Sequence, residues 1–251
     1  MDAVAAYAAS AQDAAGKPLA LDIRDLHAWY GESHILHGVN MQVRAGEVVA
    51  LLGRNGAGRT TTMRAIMGLT GARKGSIKVD GVETINMATH RIARLGLGFC
   101  PEERGIFASL STEENLMLPP RLPVEGKPMS IDEIYAMFPN LKERAKSPGT
   151  RLSGGEQQML AVARILRTGA NLLLLDEISE GLAPVIVQAL GRLITTLKAK
   201  GFTVLMVEQN FRFAAPLADR FYVMEHGAIA MEFAAAELPS KQATLHELLG
   251  V

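Results

Sequence analysis

The chain is predicted to fold as an α/β domain in which helices cover a mostly parallel sheet. Three observations carry that expectation. Apolar runs bounded by turn residues alternate with stretches of helical spacing. The runs "VVALL" and "LLLL" are continuous, as expected of strands buried on both faces. A glycine-rich turn joins the first of these runs to a helix. With 251 residues, the chain has room for one large domain, or one domain with a sizeable insertion.

Taken in order, the start is strand-rich. "LDIRDLHAWY" alternates, and "HILHGVNMQVRAGE" is a second alternating segment that turns at Ala45–Gly46. "EVVALLG" is a buried strand, and "RTTTMRAIMGL" has helical spacing with Gly71 as its stop. "GSIKVDG" reads as a short strand between glycine turns, and "HRIARLG" as a short helix leading to the strand "LGFC". From Glu102 to about Ser147 the character changes. Prolines cluster at Pro119, Pro120, Pro123 and Pro128, and "SIDEIYAMFPNLKERAK" is an amphipathic helix, so a helical insertion is expected here. The helix "SGGEQQMLAVARILRTG", the strand "NLLLLDE", the helix "APVIVQALGRLITTLKAKG" and the strand "FTVLMVE" follow. A short helix, the strand "RFYVMEH" and a final helix near "TLHELLG" complete the chain.

Charge and composition narrow the function. Lys plus Arg is 26 and Asp plus Glu is 26, a neutral balance that argues against broad nucleic-acid binding, which needs an excess of cations to displace phosphate counterions. The single cysteine, Cys100, excludes an intramolecular disulfide and reads as a small buried hydrophobe. Residues 1–18, "MDAVAAYAASAQDAAGKP", lack a basic start and read as a disordered or weakly helical extension rather than a secretory signal. No apolar run reaches the length of about 18 to 20 residues that spans a bilayer, so membrane association is expected only through a partner. His34, His37 and His90 lack metal-ligand spacing and read as surface or packing residues.

Three motifs carry chemistry. Gly53-Arg54-Asn55-Gly56-Ala57-Gly58-Arg59-Thr60 fits a phosphate-binding loop at every fixed position except one, where Arg59 replaces lysine. Its glycines permit close approach, its N–H groups and the following helix start attract phosphate, and Thr60 offers a hydroxyl to Mg²⁺. Read alone, the segment favours nucleotide binding, with a tight strand-to-helix turn as the alternative. Asp176 and Glu177 end the leucine strand, where open α/β sheets bind ligands; Asp176 is placed to hold Mg²⁺ and Glu177 to take a proton from water. Ser153-Gly154-Gly155-Glu156 opens a helix with Ser153 as N-cap, a second anion-binding terminus or simply a capped helix.

The order of glycine loop, "LSGGEQQ" and "LLLLDE" closely resembles the nucleotide-binding subunits of ABC transporters, over nearly the whole chain from about Leu21. "PEERGIFASLSTEENL", "SEGLAP" and "VEQN" are similar to the second ATPase of bacterial branched-chain amino acid importers. The resemblance implies a P-loop NTPase core with an N-terminal antiparallel β portion, over residues 19–251, with a helical signature subdomain at about 103–168. It implies ATP and Mg²⁺ as cofactors. Tyr30 matches the residue that stacks on adenine; Gly53, Asn55, Gly56, Ala57, Gly58, Arg59, Thr60 and Thr61 match the phosphate loop. Ser153, Gly154, Gly155 and Glu156 match the signature, which faces ATP held by a second subunit. Thr60, Glu102 and Asp176 match the metal-holding positions, and Glu177 with Gln209 the water-polarising and switch positions; Ser179 to Leu182 match a loop that communicates across the dimer.

The implied protein sits on the cytoplasmic face of a bacterial inner membrane. Its implied partners are membrane permeases, a sister ATPase or a second copy, and indirectly a periplasmic binding protein. There it would power uptake of branched-chain or related amino acids. Four positions depart from the common pattern: Glu102 stands for glutamine, Gln209 for histidine, Ile178 for proline and Arg59 for lysine. Arginine keeps the charge but presents a longer planar fork, and losing one aligned charged hydrogen bond costs about 1.5–3 kcal/mol. Slow hydrolysis is therefore expected, and the alternative is a weakly or non-hydrolytic structural or regulatory partner of a sister ATPase.

Overall fold

The computed structural model describes residues 16–123 and 128–250; the extension expected at the N-terminus lies, for residues 1–15, outside them. Two sheets form. An antiparallel sheet has the order β2-β1-β4-β5, from β1 (Leu19–Tyr30), β2 (Ser33–Arg44), β4 (Ala72–Val79) and β5 (Val82–Glu83). The larger sheet has the order β10-β9-β3-β8-β7-β6, from β3 (Val48–Gly53), β6 (Leu97–Cys100), β7 (Leu172–Asp176), β8 (Thr203–Glu208), β9 (Arg220–Glu225) and β10 (Ala228–Ala234). Its strands pair in parallel except β10, which returns antiparallel on β9.

The continuous apolar runs are explained by two cores on opposite faces of this sheet. Val48, Ala50 and Leu52 of β3 enter one core, and Val49 and Leu51 enter the other. The same split divides Leu173 and Leu175 from Leu172 and Leu174, and Phe221 and Val223 from Tyr222 and Met224. One core is closed by α6 (Gly154–Leu166) and α7 (Pro184–Ala199), the other by α1 (Arg59–Ile66) and the antiparallel sheet. Because both faces are apolar, the polar contacts of these strands gather at their ends. At the amino end, Val48 N–H donates to Asp219 Oδ2 at 3.0 Å and Gly46 N–H to Thr203 Oγ1 at 2.9 Å. Lys198 pairs with Asp219 at 2.6 Å, and Arg220 with Glu47 at 3.2 Å and with Glu232.

Between β6 and β7 lie the short helices α3 (Thr112–Met117), α4 (Ile131–Met137) and α5 (Pro139–Glu143), then α6. Ser111, Ser130 and Ser153 each open a helix with a reciprocal capping box to Glu114, Glu133 and Glu156. Single helices expected from the sequence differ in detail. "SIDEIYAMFPNLKERAK" is two helices, not one, because Phe138 adopts φ −129°, ψ 73° ahead of Pro139. Gly68, with φ +72°, and not Gly71 follows the end of α1. The last helix, α9 (Leu238–Leu249), starts earlier than expected, and β10 had no place in the sequence reading. Two shorter helices, α2 (Thr89–Ala93) and α8 (Phe211–Ala214), match expectation. Cys100 is buried, and burial pushes its thiol up to about 12, so it is inert packing. His34 stacks on Trp29 at 4.3 Å between ring centroids and meets His37 at 4.1 Å with the rings tilted by 59°.

The turn between β9 and β10 braces the glycine loop. Gly227 N–H donates to Ala57 O at 2.9 Å and Gly227 O accepts from His37 N–H at 2.8 Å. Gly227 has φ +77°, and a Cβ there would lie 2.0 Å from Ile35 O. Gly227→Ala is expected to cost about 2 kcal/mol or more. In a chain of this size that lowers Tm by roughly 5 °C; a wild-type melting curve would contradict the brace.

Candidate functional site

The carboxyl ends of the parallel strands deliver the functional side chains to one edge. β3 runs into the glycine loop, β6 into Pro101 and Glu102, β7 into Asp176 and Glu177, and β8 into Glu208 and Gln209. Register makes the edge even: Leu52 stands opposite Glu208, and Asp176 opposite Val207. A cavity of about 420 Å³ is lined by Asn55, Gly56, Gly58, Arg59, Thr60, Thr61, Glu102 and Glu177, with Ile35 and Glu180.

The loop is shaped by its glycines. Gly58 takes φ +108° as N-cap of α1, and a Cβ on Gly53 would meet Met224 O at 2.6 Å. Ala57 N–H closes the turn on Arg54 O at 3.0 Å, and Thr62 Oγ1 donates to Gly58 O at 3.0 Å. The loop thus opens its N–H groups at a helix start, a geometry that receives anions.

Arg59 is the centre of the charge arrangement. Its side chain is 4% exposed, and Nη2 donates to Asn55 Oδ1 at 3.0 Å and to Glu177 Oε1 at 2.7 Å. Nη1 is buried with no hydrogen-bond partner among the described residues. Asp176 accepts from Thr60 Oγ1 at 3.2 Å through Oδ1, while Oδ2 is buried without a donor among the described residues. Buried orphan groups are costly, so an unused guanidinium donor and an unused carboxylate oxygen at one edge fit an anion and a cation respectively. These residues therefore fit phosphate with Mg²⁺.

Burial pushes Asp176 up to about 6, with Glu102 adding to the rise while Thr60 and Arg59 oppose it. Burial also raises Glu177 well above the ordinary carboxylate range, aided by a hydrogen bond with Glu180 and opposed by Arg59. Glu177 has φ +49°, and its N–H is fixed on Val207 O at 2.9 Å, so its direction is set by the backbone.

Other expected site residues lie elsewhere. Tyr30 is exposed at the end of β1 and does not line the cavity. Ser153, Gly154, Gly155 and Glu156 form the start of α6 and do not line the cavity; Glu156 Oε2 accepts from Ser153 N–H at 2.7 Å. A Cβ on Gly155 would meet Ile186 at 2.8 Å. Gln209 is exposed beside a second cavity, which shares Glu177 and Glu180 with the first and adds Ser179, Gly181, Leu182 and Glu208.

Glu208 escaped the sequence reading. It is buried at the end of β8, accepts from Ser179 Oγ at 2.7 Å and Ser179 N–H at 3.3 Å, and so holds the loop after Glu177. The available signal was an acid at the carboxyl end of a third buried strand. Burial pushes Glu208 up to about 7. Folding therefore retains a proton that the unfolded chain loses near pH 4.5. Stability contributed this way is present below that pH and falls as pH rises to about 7, by roughly 3 kcal/mol at most. Glu208→Gln is expected to gain Tm relative to wild type steadily between pH 5 and 7.5; a difference that does not move with pH would refute the assignment.

Comparison with known proteins adds the following. The family described as ABC transporter matches residues 36–180. The high-affinity branched-chain amino acid transport ATP-binding protein BraG of Pseudomonas aeruginosa is 40% identical over 219 residues, covering 87% of this chain and 94% of BraG. The lipopolysaccharide export system ATP-binding protein LptB of Haemophilus influenzae is 32% identical over 213 residues, covering 83% of this chain and 88% of LptB. A solved nucleotide-free ATP-binding cassette from an ABC transporter aligns with TM-score 0.80 at 22% identity, covering 93% of this chain and 99% of that one.

Proposed function

The chain belongs to the ABC transporter family as an ATP-binding subunit, and from that premise we propose that it hydrolyses ATP to drive uptake of branched-chain or related amino acids. The observation that carries hydrolysis is the meeting of Arg59, Thr60, Asp176 and Glu177 at one edge, with the unpartnered Arg59 Nη1 and Asp176 Oδ2 facing needs that phosphate and metal would meet. The solute class is supported by the greater likeness to BraG than to LptB.

Mg-ATP supplies the phosphoanhydride to be cleaved and a cation that offsets its charge. The N–H groups of Gly53 to Thr61 would cradle the phosphates, Arg59 would add a charged donor, and Thr60, Asp176 and Glu102 would hold the metal. Glu177 accepts a proton from the attacking water. Tyr30 supports the adenine, Gln209 donates its amide toward the terminal phosphate, and Ser153 to Glu156 are offered to nucleotide held by a sister subunit or a second copy. The work is done at the cytoplasmic face of the membrane. Half-exposed Leu69 lines a cavity with Arg64, Arg104, Pro119 and Arg164; half-exposed Phe107 lies under Arg164 at 4.8 Å, and half-exposed Leu118 precedes Pro119. This apolar, basic-rimmed surface suits a permease segment carrying apolar and acidic side chains. Among the described residues no helix is long and apolar enough to cross a membrane.

A second reading, a nucleotide-binding partner with little turnover, is favoured by one observation: Arg59 holds the residue assigned as base. Steady-state ATPase assays of the chain alone and with its sister subunit, with Glu177→Gln as the inactive control, separate the two. Arg59→Lys is expected to raise kcat about tenfold or more, since one aligned charged hydrogen bond is at stake; an unchanged or lower kcat would count against a rate penalty from Arg59. Phe107→Asp is expected to abolish co-purification with the permeases while leaving nucleotide affinity within about twofold; retained association would move the docking surface elsewhere.

A further inference from the structure

Arg59 and Glu177 lie 118 positions apart in the chain, yet they form an ion pair at 2.7 Å with side chains 4% and 9% exposed. Five carboxylates gather at this edge from four directions: Asp176 ending β7 with Glu177 after it, Glu180 on the following loop, Glu208 at the end of β8, and Glu102 after β6. Arg59 attracts Asp176, Glu177 and Glu208 alike. Nη2 serves both Asn55 and Glu177, which leaves Nη1 as the buried donor with no partner. Neither residue is free to seek another arrangement at low cost. Glu177 is fixed at φ +49° with its N–H on Val207, and Arg59 begins a helix whose cap is Gly58.

We infer that Arg59 is a positioning residue for Glu177, and that phosphate bound in the glycine loop competes with the Glu177 carboxylate for the same guanidinium. The inference rests on the loop being the nucleotide site proposed above. The competition is for charge rather than for donors: Nη1 is unused among the described residues, but phosphate bound there shares the single positive charge that holds Glu177 on Nη2. When phosphate draws on the guanidinium, Glu177 loses part of its counter-ion while Glu180 and Glu102 still repel it. Nucleotide affinity is then lowered by the strength of the pair, and Glu177 is held aside until phosphate displaces it. A lysine at position 59 ends one bond sooner, so its ammonium would reach Asn55 and Glu177 less well.

The test is equilibrium binding of ADP to the full chain, by titration calorimetry in EDTA, so that neither metal nor ATP-driven pairing of subunits contributes. Glu177→Gln keeps an oxygen for Arg59 but removes the charge. It is expected to tighten ADP about tenfold in the Arg59 chain and less than twofold in the Arg59→Lys and Arg59→Met backgrounds. Using two backgrounds keeps the comparison open if Arg59→Met fails to fold. Equal tightening in all backgrounds would mean that Glu177 merely repels phosphate, and no tightening with Arg59 present would mean that the pair does not compete; either result overturns the inference. Absence of ADP binding in every variant, wild type included, would instead overturn the reading of the loop.

Discussion

The parallel pairing of β3 with β8, and of β8 with β7, is the constraint on which the rest of the molecule depends. Strands packed on both faces have no room for a polar side chain along their length, because each would have to surrender its hydration to one core or the other. Chemistry is therefore driven to the ends. Gly53, Glu102, Asp176, Glu177 and Glu208 arrive at one edge from four neighbouring strands, in register because the strands are. The same enclosure raises the carboxyl groups there, since the apolar layers that hold the strands also strip water from their termini.

A chain with no net charge thus contains a sharply uneven site. Acids outnumber bases around the glycine loop, and Arg59 is the cation they share. A bound divalent metal and a triphosphate would add charges of both signs to this balance. The substitution of arginine for lysine consequently acts on the carboxylates as well as on phosphate. In this structure one arm of its guanidinium, Nη2, serves two oxygens, those of Asn55 and Glu177.

The fold was legible wherever one local signal sufficed. Continuous apolar runs marked β3, β7 and β8, and the glycine loop and Ser153 marked helix starts that the capping geometry reproduces. What the sequence concealed depended on distant partners or on competing local signals. β10 exists because β9 offers it an antiparallel edge beyond Gly227, and its own residues Ala228–Ala234 carry weak strand character. The helix near Phe138 broke because Pro139 acts on the residue before it, against a sound amphipathic pattern. Glu208 read as the end of a strand, and only its Ser179 partner gives it a task. The Arg59–Glu177 contact joins two motifs that a linear reading treats separately.

The polar contacts at the far, amino end of the sheet have a consequence for the site. An all-apolar strand can slip by two residues without exposing anything, so hydrophobicity alone fixes its register poorly. The bonds from Val48 to Asp219 and from Gly46 to Thr203, with Arg220 on Glu47, act as an index mark that zeroes β3 against β8 and β9. That mark lies about 20 Å from the glycine loop, one six-residue strand away. Alignment of the catalytic edge is thus calibrated remotely, and a substitution at Asp219 or Glu47 would act on the site as an error of phase.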